Sequence, residues 1–330
     1  MTLTCVIGSP KWDGLPTEEH ILPASLGGSL TSRHVICKGC NDWTGRTLDK
    51  RLFDEFRFIL AALSIQNARD PKPAKPITFW VDGRNYRWDP ASNTMTLHHE
   101  HLGPLESGGG VQRITVGLPL GHDVAKFQKT LEQRYRARNV AVEFEAADQV
   151  VEPAAAIPVE MKLDVSYRRA VAKIALLYAA HRYGSELMAR PDYDPLRRFM
   201  LGEGTEQKFV GVGVEGHPPV LTRVRPPQHL ITTFGYNGRL FAHVVLFGGL
   251  VHLVELGPTG DHARPHTCRL DPWEHQISGV DEFNPLDRID LGTLEGHLQL
   301  TEKQPRKPLA LAKGMNRLLP TRAVTPRWTA

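Results

Sequence analysis

A chain of 330 residues, 41% hydrophobic and 23% charged, is long enough for two domains and apolar enough to fill a core without staples. No run of about 18 apolar residues occurs, and the start MTLTCVIGSPKW lacks the basic opening and apolar stretch of a signal peptide, so membrane-spanning and exported classes are not expected and the cytoplasm is. The net charge of +4 is uneven: residues 1–70 balance eight Lys/Arg against eight Asp/Glu, whereas residues 301–330 hold seven Lys/Arg and one acidic residue, Glu302.

From the N-terminus, "PTEEHILP" reads as a strand-like segment between Pro16 and Pro23. "LGG" then turns the chain, and "HVIC" returns it as the second strand of a ribbon. The chain next enters a helix through "CKGCNDWTGRTLD". In "LDKRLFDEFRFILAAL" the residues Leu48, Leu52, Phe56, Ile59 or Leu60, and Leu63 fall on one stripe, an amphipathic helix facing a core. Three prolines in "NARDPKPAKP" end this module, so residues 1–66 are expected as one domain and 67–76 as a linker.

Residues 77–300 are expected as a single α+β domain. "ITFWVDGRNYRW" and "NTMTLHHEHL" read as strands with turns at Asp82-Gly83 and Pro90 to Asn93, and "VQRITVGLPL" as a third. "HDVAKFQKTLEQRYRARN" is a helix with Val124, Phe127, Leu131 and Tyr135 inward, "VEMKLD" a strand, and "VSYRRAVAKIALLYAAHRYG" a helix capped by Gly184. "KFVGVGV", "HLITTFGYNG", "LFAHVVLFGG" and "VHLVEL" alternate with Gly and Pro turns, making the C-terminal half an antiparallel, strand-rich one. Residues 301–330 form a basic, Pro-punctuated tail, suited to phosphate contact or simply solubilising.

The chemistry concentrates near the N-terminus. Adjacent residues on an extended segment point in different directions, so Glu19 and His20 can divide labour. Glu19 is a hard oxygen ligand suited to Mg²⁺ or Mn²⁺, and His20, titrating near neutrality, suits a general base. On the helix that follows, Asn41, Gly45 and Asp49 sit at i, i+4 and i+8, presenting an amide, a gap and a carboxylate toward the ribbon.

"EEHILPASLGG", "VICKGCN" and "TGRTLD", in this order and spacing, resemble the HNH endonucleases over about residues 4 to 52. The resemblance implies a ββα-metal (His-Me) finger at the head of an α+β protein, cutting DNA, or RNA in addition, with Mg²⁺ or Mn²⁺. It implies His20 as the base, Glu19 and Asn41 as cation ligands, and Asp49 as a further or water-mediated one. The family's orienting Asn falls on Ser32 here, which leaves base orientation to a hydroxyl or a backbone carbonyl. The family's first Cys-x-x-Cys reads Cys5-Val6-Ile7-Gly8, so Cys5, Cys37 and Cys40 would hold structural zinc with a fourth ligand such as His34, Asp13 or water. The alternative is a metal-free knuckle packed around Trp43.

Blander readings apply elsewhere. His98, His99, Glu100 and His101 fit a solvated edge strand, and His262, His266 and Cys268 lack a fourth ligand. Arg168, Arg169 and Lys173 read as a solvated helix face. Besides the nuclease, two function classes fit: a noncatalytic module binding nucleic acid or a partner, and a metal-stabilised interaction protein.

Overall fold

The doublet Gly27-Gly28 fixes how the N-terminal segment folds back on itself. The computed structural model describes residues 4–8, 15–81, 84–90, 94–98, 101–108, 111–117, 123–136, 161–203, 210–213, 227–259 and 264–279. Strand β1 (Glu19–His20) leads through a 3-10 turn (Ala24–Leu26) to β2 (Thr31–Ser32). Gly27 has φ +81°, where a side chain is strained, and a Cβ there would come within 2.5 Å of Pro272. A Cβ on Gly28 would run into the Leu22 carbonyl. The ribbon is antiparallel, with Glu19 opposite Ser32 and His20 opposite Thr31.

A continuous helix follows, made of α1 (Lys38–Thr44), a π-helical turn (Gly45–Asp49) and α2 (Lys50–Ala62). Its apolar stripe is the expected one: Leu48, Leu52, Phe56, Ile59, Leu60 and Leu63 are all buried. The wide turn interrupts the even i, i+4, i+8 phase expected for Asn41, Gly45 and Asp49.

The chain divides into two compact units, residues 1–72 with 159–320, and residues 73–158 with 321–330. Residues 77–300 are therefore not the single body expected from the sequence. In the second unit, β3 (Ile77–Val81), β4 (Arg84–Asp89) and β5 (Thr94–Leu97) form an antiparallel three-stranded sheet. There too, β6 (His101–Gly108) pairs with β7 (Val111–Gly117), and α3 (Val124–Arg136) buries Leu131. Asp82, Gly83, residues 91–93 and Tyr135's side chain lie outside the described residues, as does the basic tail.

The first unit continues with α4 (Val165–Tyr183), α5 (Ser185–Met188), α6 (Asp194–Leu201) and β8 (Val210–Gly213). Strands β9 (His229–Tyr236), β10 (Arg239–Leu246), β11 (Leu250–Pro258), β12 (His266–Asp271) and β13 (Gln276–Gly279) complete a six-stranded antiparallel sheet, in the order β13-β12-β9-β10-β11-β8. Asn237 and Gly238 both take positive φ between β9 and β10, the backbone that Asn-Gly favours in a two-residue hairpin. Residues 161–164, expected as strand, are irregular. Asp164 instead caps α4, accepting from the Tyr167 N–H at 2.9 Å.

Helix α4 organises this unit. Its residues 170–180 are all buried, and it packs against β9, β10, β11 and α2. Phe56 of α2 meets Tyr167 edge-on at 5.9 Å and Phe247 at 4.9 Å. Each such side chain removed from water contributes roughly 1.5–3 kcal/mol. The expected solvated basic face is corrected here: Lys173 is 0% exposed, because a helix covered on every side has no outer face. Among the described residues no helix is long and apolar enough to cross a membrane.

Candidate active site and metal centre

Glu19 and His20 are neighbours in β1 and face different surroundings. Glu19 is buried and reaches into the first unit, where its Oε1 lies 2.5 Å from the Lys173 ammonium of α4. Lys173 also donates to both carboxylate oxygens of Asp49, each at 2.7 Å. The π-helical turn ends at Asp49, and Asp49 is thereby brought to α4. Burial alone would push the Lys173 ammonium down, but Asp49 and Glu19 outweigh it and hold the ammonium above its usual range. Burial pushes the Glu19 carboxyl up, against the pull of Lys173. Glu19 Oε1 and the Lys173 ammonium thus form a buried ion pair.

His20 is half-buried, and its Nδ1 lies 3.2 Å from Arg69 Nη2. A guanidinium only donates, so Nδ1 is the acceptor and carries the ring's lone pair. Burial first, and Arg69 second, hold the imidazole below its usual value and favour the neutral ring. Ser32 stands opposite Glu19 in the ribbon, and its hydroxyl accepts from the His34 N–H at 3.3 Å. Thr31 is the residue paired with His20. Asn41 donates through Nδ2 to the Glu18 carbonyl at 3.2 Å and to Thr17 Oγ1 at 3.4 Å. These contacts tie α1 to the entry of β1.

Cys5, Cys37 and Cys40 converge, with their sulfur atoms all within 4.8 Å of one another. The Cys37 N–H donates to Cys5 Sγ at 3.4 Å. A hydrogen bond from the Cys40 thiol, with backbone N–H groups, pulls the Cys5 thiol down to about 5 against the effect of burial, and Cys40 is raised in turn. One thiolate shared among three sulfurs is compatible with a metal ion. His34 is exposed and outside this cluster, and Asp13 lies outside the described residues. Of the other candidates, His266 Nδ1 sits 3.0 Å from Arg182 Nη2 and Cys268 is buried in β12, whereas His99, Glu100 and His262 lie outside the described residues.

Residues 8–57 match the family model described as HNH endonuclease. The match covers the N-terminal segment of about 50 residues on which the sequence resemblance rests, and it implies nuclease-type chemistry there. No curated protein and no solved structure matches the chain significantly.

The donor chemistry fits a hard divalent cation, since two carboxylates from different elements converge on a single positive charge. Lys173 and Arg69 were missed by sequence reasoning. Lys173 left a signal: it is the lone charge in AVAKIALLYAA, where an apolar run on all sides of a helix implies burial of whatever lies within it. Arg69, in a proline-rich loop, left none.

Proposed function

We propose that the N-terminal segment is a ββα-metal finger that hydrolyses phosphodiester bonds in DNA, with His20 as general base. The observation that supports this best is the pairing of a neutral, half-exposed imidazole with an adjacent buried carboxylate, inside the segment that matches the HNH endonuclease family. His20 accepts the proton of the attacking water at Nδ1, the nitrogen whose lone pair Arg69 now faces. Arg69 turns from the ring as the water enters, and as an exposed guanidinium it is placed to take a phosphate oxygen. Glu19 and Asp49, with the carbonyl oxygen of Asn41, are the residues that would hold Mg²⁺ or Mn²⁺. When bound, such a cation polarises the phosphate and offsets charge on the leaving oxygen. Asn41 further anchors α1 to Glu18, fixing the ribbon on the helix.

Cys5, Cys37 and Cys40 are proposed as a structural zinc site completed by a fourth ligand. Purified protein should carry about one zinc per chain, and Cys40→Ser should lose it. The four free cysteines suit a reducing compartment, and we place the protein in the cytoplasm.

The test is single-turnover nicking of supercoiled plasmid across a Mn²⁺ titration. His20→Ala should abolish most activity at every metal concentration. Wild-type rates in that variant would refute the assignment. A second reading, a noncatalytic nucleic-acid-binding module with a degenerate finger, is favoured by one observation: the carboxylate pair already holds the Lys173 ammonium. Salt-dependent retention on DNA without Mn²⁺-dependent nicking would establish it.

A further inference from the structure

Two carboxylates from different elements, Glu19 on the ribbon and Asp49 on the helix, close on one side chain of a third, Lys173 of α4. No residue of that trio is placed to compensate for a second positive charge. Lys173 is wholly buried, so its ammonium reaches neither solvent nor a nucleic acid, and its role is exercised through Glu19 and Asp49.

The charges decide what the pair can hold. With the ammonium alone, two negative charges face one positive. A divalent cation alone would balance them. Both together would set three positive charges against two negative ones within a few ångströms, in a buried setting where such repulsion is weakly screened. The contacts are also stereochemically exclusive: Lys173 spans both oxygens of Asp49 and lies against Glu19 Oε1, the atoms from which a hard cation would be coordinated.

We propose that the Lys173 ammonium and a divalent cation are alternative occupants of the Glu19/Asp49 pair, so that Lys173 is a resident competitor that sets how readily the finger loads metal. The inference rests on reading Glu19 and Asp49 as cation ligands. Lys173 belongs to the helix around which the first unit is built, and loading metal therefore requires this side chain to withdraw from the pair. The packing of residues 159 onward thus acts on the metal affinity of residues 8–57 through one side chain.

The experiment is Mn²⁺ binding to the full chain without DNA, by calorimetry and by the electron spin resonance of free Mn²⁺. Lys173→Met keeps length and removes charge. It should bind Mn²⁺ at least about tenfold more tightly than wild type, and the gain should vanish when Glu19→Gln is added. Lys173→Arg, which keeps the charge, should bind no more tightly than wild type. Equal or weaker Mn²⁺ binding by a folded Lys173→Met overturns the proposal. If that variant does not fold, acylation of Lys173 in the wild-type chain, read by mass spectrometry, decides. Protection without metal and labelling in saturating Mn²⁺ support competition, whereas the lack of any Glu19-dependent Mn²⁺ binding overturns it. Glu19-dependent Mn²⁺ binding with Lys173 still protected overturns it. Because no readout involves cleavage, failure here is distinct from failure of the nuclease assignment, which His20→Ala nicking tests.

Discussion

The two sides of the β1–β2 ribbon differ more than adjacent residues in one strand would suggest. On the inner side Glu19 and Asp49 share the one ammonium of buried Lys173. On the outer side half-buried His20 faces the exposed Arg69 guanidinium, with its Nδ1 3.2 Å from Nη2. The inner groups are fixed by packing and act by holding something, whether an ammonium or a metal ion. The outer groups are more exposed, as the role proposed for His20 requires. Burial, rather than residue type, separates the enclosed charges from the accessible groups here.

The sharpest test of that contrast is His20→Ala. It should lower the nicking rate by about 10²- to 10⁴-fold, the usual consequence of losing a general base, while leaving the melting temperature unchanged. A large loss of stability would place His20 on the structural side of the comparison.

Next in size is Lys173→Ala in metal-free buffer. Removing one partner from a buried charge cluster costs about 3–5 kcal/mol, and urea denaturation should show it. A cost below about 1 kcal/mol would mean that solvent reaches the pair.

Buried histidines give a third test, because they are the inner counterparts of His20. His229 donates from Nε2 to the Leu26 carbonyl at 3.1 Å and accepts at Nδ1 from the Phe247 N–H. His252 donates from Nδ1 to the Val244 carbonyl at 2.9 Å and accepts at Nε2 from the Tyr167 hydroxyl at 2.7 Å. Both rings are neutral in this arrangement, and burial lowers each to about 4 from an ordinary 6.5. Between those values the unfolded chain binds the extra protons, so this stability is complete above about pH 6.5 and is lost as pH falls toward 4. Each ring contributes about 3 kcal/mol across that window. Urea midpoints at pH 7.5 and 4.5 should differ accordingly, and the difference should shrink in His229→Gln.

The smallest expected effect belongs to Arg69→Ala. An exposed loop side chain with one long contact should change stability by no more than about 0.5 kcal/mol, measured by the same denaturation. If nicking falls in that variant while stability holds, the outer side is reactive as the comparison requires.

The amphipathic stripe from Leu48 to Leu63, the Gly27-Gly28 turn, the strand-rich C-terminal half and the extended segment that carries Glu19 and His20 were all legible in the sequence. Each depends on local periodicity, on backbone freedom at glycine or on residue chemistry, and these are written within a few neighbouring positions. The convergence of Cys37 and Cys40 was legible for the same reason. What lies across the chain was not. The division that joins residues 1–72 to 159–320 leaves no mark in composition, because a proline-rich segment shows where packing stops and not where the chain resumes it. Asp49 and Lys173 are 124 positions apart, and only the packing of α4 against α2 and the sheet brings them together. The same packing decides that a lysine read as solvated is the charge at the centre of the site. Periodicity assigns a helix its faces, but whether a face meets water depends on what the rest of the chain lays over it.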